Sequence, residues 1–90
     1  MFETKALNSF KKDMKLCQKR GYAMVLLESA LAMLMETGTL PTAYRPHKLT
    51  GNYINLWEAH IKPDWLIIWF INEDEKIITL VRTGTHADLF

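Results

Sequence analysis

Two short polar breaks, Lys62-Pro63-Asp64 and Asn72-Glu73-Asp74-Glu75, cut the second half of the chain into three apolar segments at about 53–61, 65–71 and 76–83. Breaks this short join antiparallel neighbours, because a parallel connection needs a crossover of about a dozen residues or more. Pro63 cannot donate to a sheet ladder and so belongs in a turn. The run from Asn72 to Glu75 has the length of a hairpin loop. Residues 53–83 are therefore read as a three-stranded antiparallel meander.

The first half has a different period. Leu7, Phe10, Met14 and Cys17 follow helical spacing and predict a helix over 9–20, capped by Asn8 or Ser9 and stopped at Gly21. Met24, Leu27, Leu31 and Leu34 predict a second helix over 22–36, closed by Gly38 and Pro41. Residues 2–6 read as a short edge strand, and 37–52 as a loop carrying His47. The expected fold is α+β: a short N-terminal strand, then a helical hairpin packed on one face of a mainly antiparallel sheet, in the order β-α-α-β-β-β. Ninety residues leave room for one core, so a single domain over 1–90 is expected.

The single cysteine, Cys17, excludes an internal disulfide and fits a reducing compartment. Its helical position predicts a buried, inert thiol. No apolar run approaches the ~20 residues of a membrane span, and the first residues lack the pattern of a secretory signal. A cytoplasmic protein without membrane contact is expected. The net charge of +1 hides an imbalance, since residues 1–20 hold six basic side chains against two acidic ones. Lys11, Lys12, Lys15 and Lys19 then form either a solvated helix face or a positive surface for RNA.

If both turns close symmetrically, position 60 lies across from 65, and 65 across from 82. Directly opposed residues share a face. That register puts Trp57, Ala59, Ile61, Leu66, Ile68, Phe70, Ile77, Thr79 and Val81 on a core face. Glu58, His60, Trp65 and Arg82 fall on the other, together with Ile67, Trp69, Ile78 and Leu80. The third strand returns to the first turn, so Arg82 and His86 arrive beside His60 and Asp64, with the loop of His47 able to fold over them. Histidines, a carboxylate and an arginine suit RNA cleavage. A 2′-OH must lose a proton, a 5′-oxygen must gain one, and phosphorane charge must be stabilised. Aromatic side chains such as Trp65 and Phe90 are of the kind that stack on bases. The spacings of His47, His60, His86 and Asp64 match no compact metal-ligand signature, so no metal and no cofactor is expected. These residues alone leave open both a nucleic-acid-acting enzyme and a non-catalytic domain that binds RNA or a partner.

The segments His60-Ile-Lys-Pro-Asp-Trp-Leu-Ile-Ile-Trp69, Arg82-Thr-Gly-Thr-His-Ala-Asp-Leu-Phe90 and Pro46-His-Lys-Leu-Thr-Gly51 closely resemble the YafQ family of toxins, within the RelE/ParE superfamily of type II toxin–antitoxin modules. The resemblance implies a ribosome-dependent endoribonuclease that cuts translated mRNA. It also implies a co-encoded DinJ/RelB-like antitoxin that binds the toxin in a hetero-oligomer. It points to His47, His60, Asp64 and His86 as the catalytic set, with His86 as general acid. It assigns Arg82, Trp65 and Phe90 to substrate binding. Two positions depart from the family pattern: Pro46 stands where an Asp commonly precedes the first histidine, and Trp57 stands where many relatives have Arg. Some members of the wider superfamily act on DNA gyrase, which is the alternative reading within it.

Overall fold

The computed structural model describes residues 1–51 and 55–90. Asn52 of the expected loop, and the first two residues of the segment read as 53–61, lie outside the described residues. The elements run β1 (Glu3–Ala6), α1 (Asn8–Lys19), α2 (Met24–Thr37), a 3₁₀ turn (Thr42–Tyr44), β2 (His47–Lys48), β3 (Trp57–Lys62), β4 (Trp65–Asn72), β5 (Ile77–Gly84) and α3 (His86–Leu89). The α+β architecture is as expected; β2 and α3 are additions to it. None of the helices among the described residues is long and apolar enough to cross a membrane.

Neither Asn8 nor Ser9 caps α1. Leu7 occupies the cap position without a side-chain hydrogen bond, and Ser9 Oγ instead donates to the Val81 carbonyl at 2.7 Å. That bond fastens α1 to β5. Gly38, at φ +81°, ends α2; a Cβ there would lie 2.7 Å from the Phe2 ring, so glycine lets β1 and α2 close on each other. The five strands are ordered β1-β5-β4-β3-β2, with β1 parallel to β5 and the other pairs antiparallel.

The register differs from the symmetric one. Lys62 pairs with Trp65 around the two-residue turn Pro63-Asp64, and an irregularity then brings His60 opposite Leu66. Between β4 and β5, Asn72 pairs with Ile77, and a second irregularity moves Ile68 opposite Arg82. The result exchanges the faces of β4. Trp65, Ile67 and Trp69 join Ala59, Ile78, Leu80, Phe10, Cys17, Leu27, Ala30 and Leu34 in the main core. Leu66 and Ile68 instead form a small second core with Leu89, against which Leu49, Leu56 and Val81 pack. Cys17 is buried, and burial pushes its thiol pKa up.

Candidate active site

Strand alternation puts Glu58 and His60 on one face of β3, opposite Ile68 and Leu66. β2 then lays His47 directly beside Glu58. His47 Nε2 lies 3.3 Å from Glu58 Oε1, and its Nδ1 lies 3.0 Å from the Arg45 carbonyl. Both ring nitrogens thus face an oxygen acceptor, which fixes the orientation of the ring. The rings of His47 and His60 stack with centroids 6.5 Å apart and an interplanar angle of 27°. His86 continues the row, its centroid 5.9 Å from that of His60.

Asp64 closes the row. Its Oδ1 accepts from the His86 backbone N–H at 2.9 Å and from the His86 ring Nδ1 at 2.7 Å. Those two bonds, the backbone one first, hold the Asp64 carboxyl below the usual carboxylate range. They also place a proton on His86 Nδ1 and leave Nε2 for a reacting atom. His60 is different. Burial lowers its pKa, the charges of Arg45, His86 and His47 lower it further, and Glu58 opposes them. Its Nδ1 is sealed from solvent with no hydrogen-bond partner among the described residues, which leaves Nε2 for proton exchange.

α3 holds His86 in place. Thr85 and Asp88 form a capping box: Thr85 Oγ1 accepts from the Asp88 N–H, and Asp88 accepts from the Thr85 N–H. Gly84 makes the close approach possible, since a Cβ there would lie 2.9 Å from Asp88 Oδ2. Shortly before α3, Arg82 donates Nε to Asp13 Oδ2 at 2.6 Å and a terminal nitrogen to Oδ1 at 3.2 Å. Asp13 also accepts from the Thr83 N–H at 3.1 Å, so α1 sets the direction of the arginine.

The model of the family described as the bacterial toxin of the type II toxin–antitoxin system, YafQ, matches residues 2–90. The chain belongs to that family. The mRNA interferase toxin YafQ of Escherichia coli K12 is 39% identical over 82 residues, which cover 90% of this chain and 87% of the relative. The E. coli DinJ–YafQ complex contains a chain that superimposes with a TM-score of 0.90 at 34% identity, over 100% of this chain and 99% of that one. A metal-bound toxin from Helicobacter pylori superimposes with a TM-score of 0.91 at 33% identity over the whole of both chains. Metal binding is a property of that protein. Among the described residues here, no group of three or more His, Cys, Asp or Glu side chains is disposed to hold a metal ion.

The row thus brings together His47, His60, Asp64 and His86, in a chain of YafQ type. Phe90 lies just beyond, with 56% of its surface exposed. Lys11 and Lys12 are exposed on α1, as is Lys19, and Lys15 is exposed with them. Trp65 does not face the site. It is 3% exposed, packs edge-on against Tyr22 at 4.8 Å, and donates Nε1 to Thr83 Oγ1 at 3.0 Å. A ring so enclosed cannot stack on a base, and the register shift is the cause. Trp57 stacks on Trp69 at 6.2 Å, with Lys48 Nζ 5.7 Å from its ring centroid, so a cation stands beside Trp57.

Sequence reasoning missed Asp13, Arg20, Arg45 and Asp88. Glu58 was placed on the correct face by alternation but given no part in the site. Its position two residues before His60 was the available signal.

Proposed function

We propose that this toxin is an mRNA interferase that cuts translated mRNA on the ribosome by metal-free general acid–base chemistry. The observation that carries the reading is the row His47–His60–His86 ending on Asp64. His60 is neutral near physiological pH, because its pKa lies below the usual 6.5, and it takes the proton of a ribose 2′-OH through Nε2. The 2′-oxygen attacks phosphorus, and the bond to the 5′-oxygen breaks. His86 donates its Nε2 proton to that leaving oxygen, while Asp64 holds Nδ1–H and stabilises the charged ring. The products are a 2′,3′-cyclic phosphate and a 5′-hydroxyl. Arg82, directed by Asp13, supplies positive charge to the phosphorane, and His47 completes the row of the site. Phe90 stacks on a flanking base, and the lysines of α1 dock on ribosomal RNA. A DinJ-like antitoxin is the partner that neutralises the toxin, by analogy with the E. coli complex.

Induction of the toxin alone, followed by mapping of mRNA ends, tests the reading. Cuts confined to translated frames, with 5′-hydroxyl and cyclic or 3′-phosphate ends, are expected. Toxin treated with EDTA and assayed on intact ribosomes in restored Mg²⁺ keeps its activity. A strict requirement for zinc or copper would overturn the metal-free mechanism. Growth arrest that survives His86→Ala without mRNA cleavage would overturn the nuclease reading; DNA-damage signalling would then indicate gyrase as the target.

A further inference from the structure

α3 carries His86 but is a single turn, too short to hold its own shape by backbone hydrogen bonds. Arg20, the C-cap of α1, reaches across 68 positions of sequence to grip it. One terminal nitrogen meets Asp88 Oδ2 at 2.6 Å and the other meets Oδ1 at 3.0 Å. The same carboxylate accepts the Thr85 N–H at 2.9 Å. Asp88 therefore joins the cap of α3 to the end of α1, and His86 lies between Thr85 and Asp88. We infer that Arg20 and Asp88 are positioning residues that fix the orientation of the His86 ring toward the reacting phosphate. The inference rests on the role proposed for His86 above.

A purely stabilising pair would look different in its consequences. The Arg20 side chain is 36% exposed and that of Asp88 22%, and exposed ion pairs contribute little to global stability. A planar fork on a carboxylate fixes direction as well as distance. Asp64 holds the other end of the turn, but its side chain is 64% exposed and stands on the Pro63-Asp64 turn. With the fork removed, α3 keeps the Asp64 contact and the buried Leu89 but loses the planar grip that sets the direction of its first turn. A displacement of about 1 Å at a reacting group can cost about 10²-fold in rate.

The test compares Arg20→Gln, Arg20→Lys, Asp88→Asn and His86→Ala on mRNA-programmed ribosomes, separating kcat from KM. Melting temperature is recorded for each folded variant, and the ¹⁵N NMR signal of the His86 Nδ1–H for each variant that keeps His86. Arg20→Gln and Asp88→Asn are expected to lower kcat about 10- to 100-fold, with KM unchanged, melting nearly unchanged and the Nδ1–H signal broadened. Arg20→Lys keeps the charge but not the fork, and is expected to recover only part of the rate. Full activity in Arg20→Lys, or a loss confined to KM, would overturn the inference and make Arg20 a docking cation. An unchanged ring signal in Arg20→Gln would also overturn it. A broadened ring with undiminished kcat, matched by an active His86→Ala, would uphold the clasp and remove His86 from the reaction.

Discussion

Asp64 accepts both the backbone N–H and the ring Nδ1–H of His86 on a single oxygen, at 2.9 and 2.7 Å. The pairing links the β3–β4 turn to α3 and holds the His86 proton on Nδ1, leaving Nε2 on the other side of the ring. Asp64→Ala is expected to lower kcat about 10- to 100-fold by releasing the ring, less than the loss of about 10²–10⁴-fold expected for His86→Ala. Neither variant should melt much earlier, since both side chains are more than half exposed. Single-turnover rates and thermal melting check the two together.

Acid behaviour separates the carboxylates from His60. Asp88 is held far below the usual carboxylate range, first by the Arg20 guanidinium and then by the Thr85 N–H. Its folded pKa lies below the unfolded one, so its contribution to stability is complete above about 3.8 and is lost as pH falls through the folded value. The melting difference between the native chain and Asp88→Asn, small because the pair is part-exposed, should therefore be constant above about pH 5 and shrink towards zero as pH falls below about 4.

For His60, the fold favours the neutral ring. Its unfolded pKa of 6.5 exceeds the folded one, so its protonation destabilises the fold as pH drops below 6.5. The acid limb of the rate profile, where the rate rises as His60 loses its proton, should titrate below 6.5. Arg45→Gln should move it up and Glu58→Gln down, read from the His60 ring signals by NMR.

Neighbouring aromatics and aliphatics should respond in opposite ways. Phe90 is 56% exposed and Leu89 8%. Phe90→Ala is expected to lower cleavage about fivefold to hundredfold, the cost of a stacking interaction worth about 1–3 kcal/mol, with little change in melting. Leu89→Ala should cost about 2–5 kcal/mol of stability. Trp65→Ala should behave like the latter, at about 3–5 kcal/mol, and lose activity only in proportion to unfolded protein.

Neutralising Lys11, Lys12, Lys15 and Lys19 removes positive charge from the surface of α1 and should leave melting unchanged. Ribosome affinity should fall, and the slope of log affinity against log salt should flatten by about 0.7–0.9 for each phosphate no longer neutralised. Unchanged affinity at physiological salt would make the lysines a solvated face.

The element order was legible because turn chemistry and hydrophobic period are local. The register was not, because it depends on two irregularities that no residue type announces. The slip near Ile61 reversed the expected faces of β4 and drew Trp65 into the core. The second slip, near Val81, then put Arg82 back on the face of His60 through Ile68. The arginine reached its expected face by a route the sequence did not show. The Asp13–Arg82 and Arg20–Asp88 pairs join residues 69 and 68 positions apart; no local pattern can reveal them. β2 has only two residues, too few for alternation to register.

General acid catalysis by His86 can be tested by changing the leaving group. An mRNA with sulfur in place of the bridging 5′-oxygen at the cleaved position departs as a thiolate and needs no proton. On programmed ribosomes, His86→Ala should cleave the oxygen substrate about 10²–10⁴-fold more slowly than the native toxin. The same variant should cleave the sulfur substrate at nearly the native rate. Equal impairment on both substrates would contradict the assignment of His86 as the acid, and with it the central claim about this site.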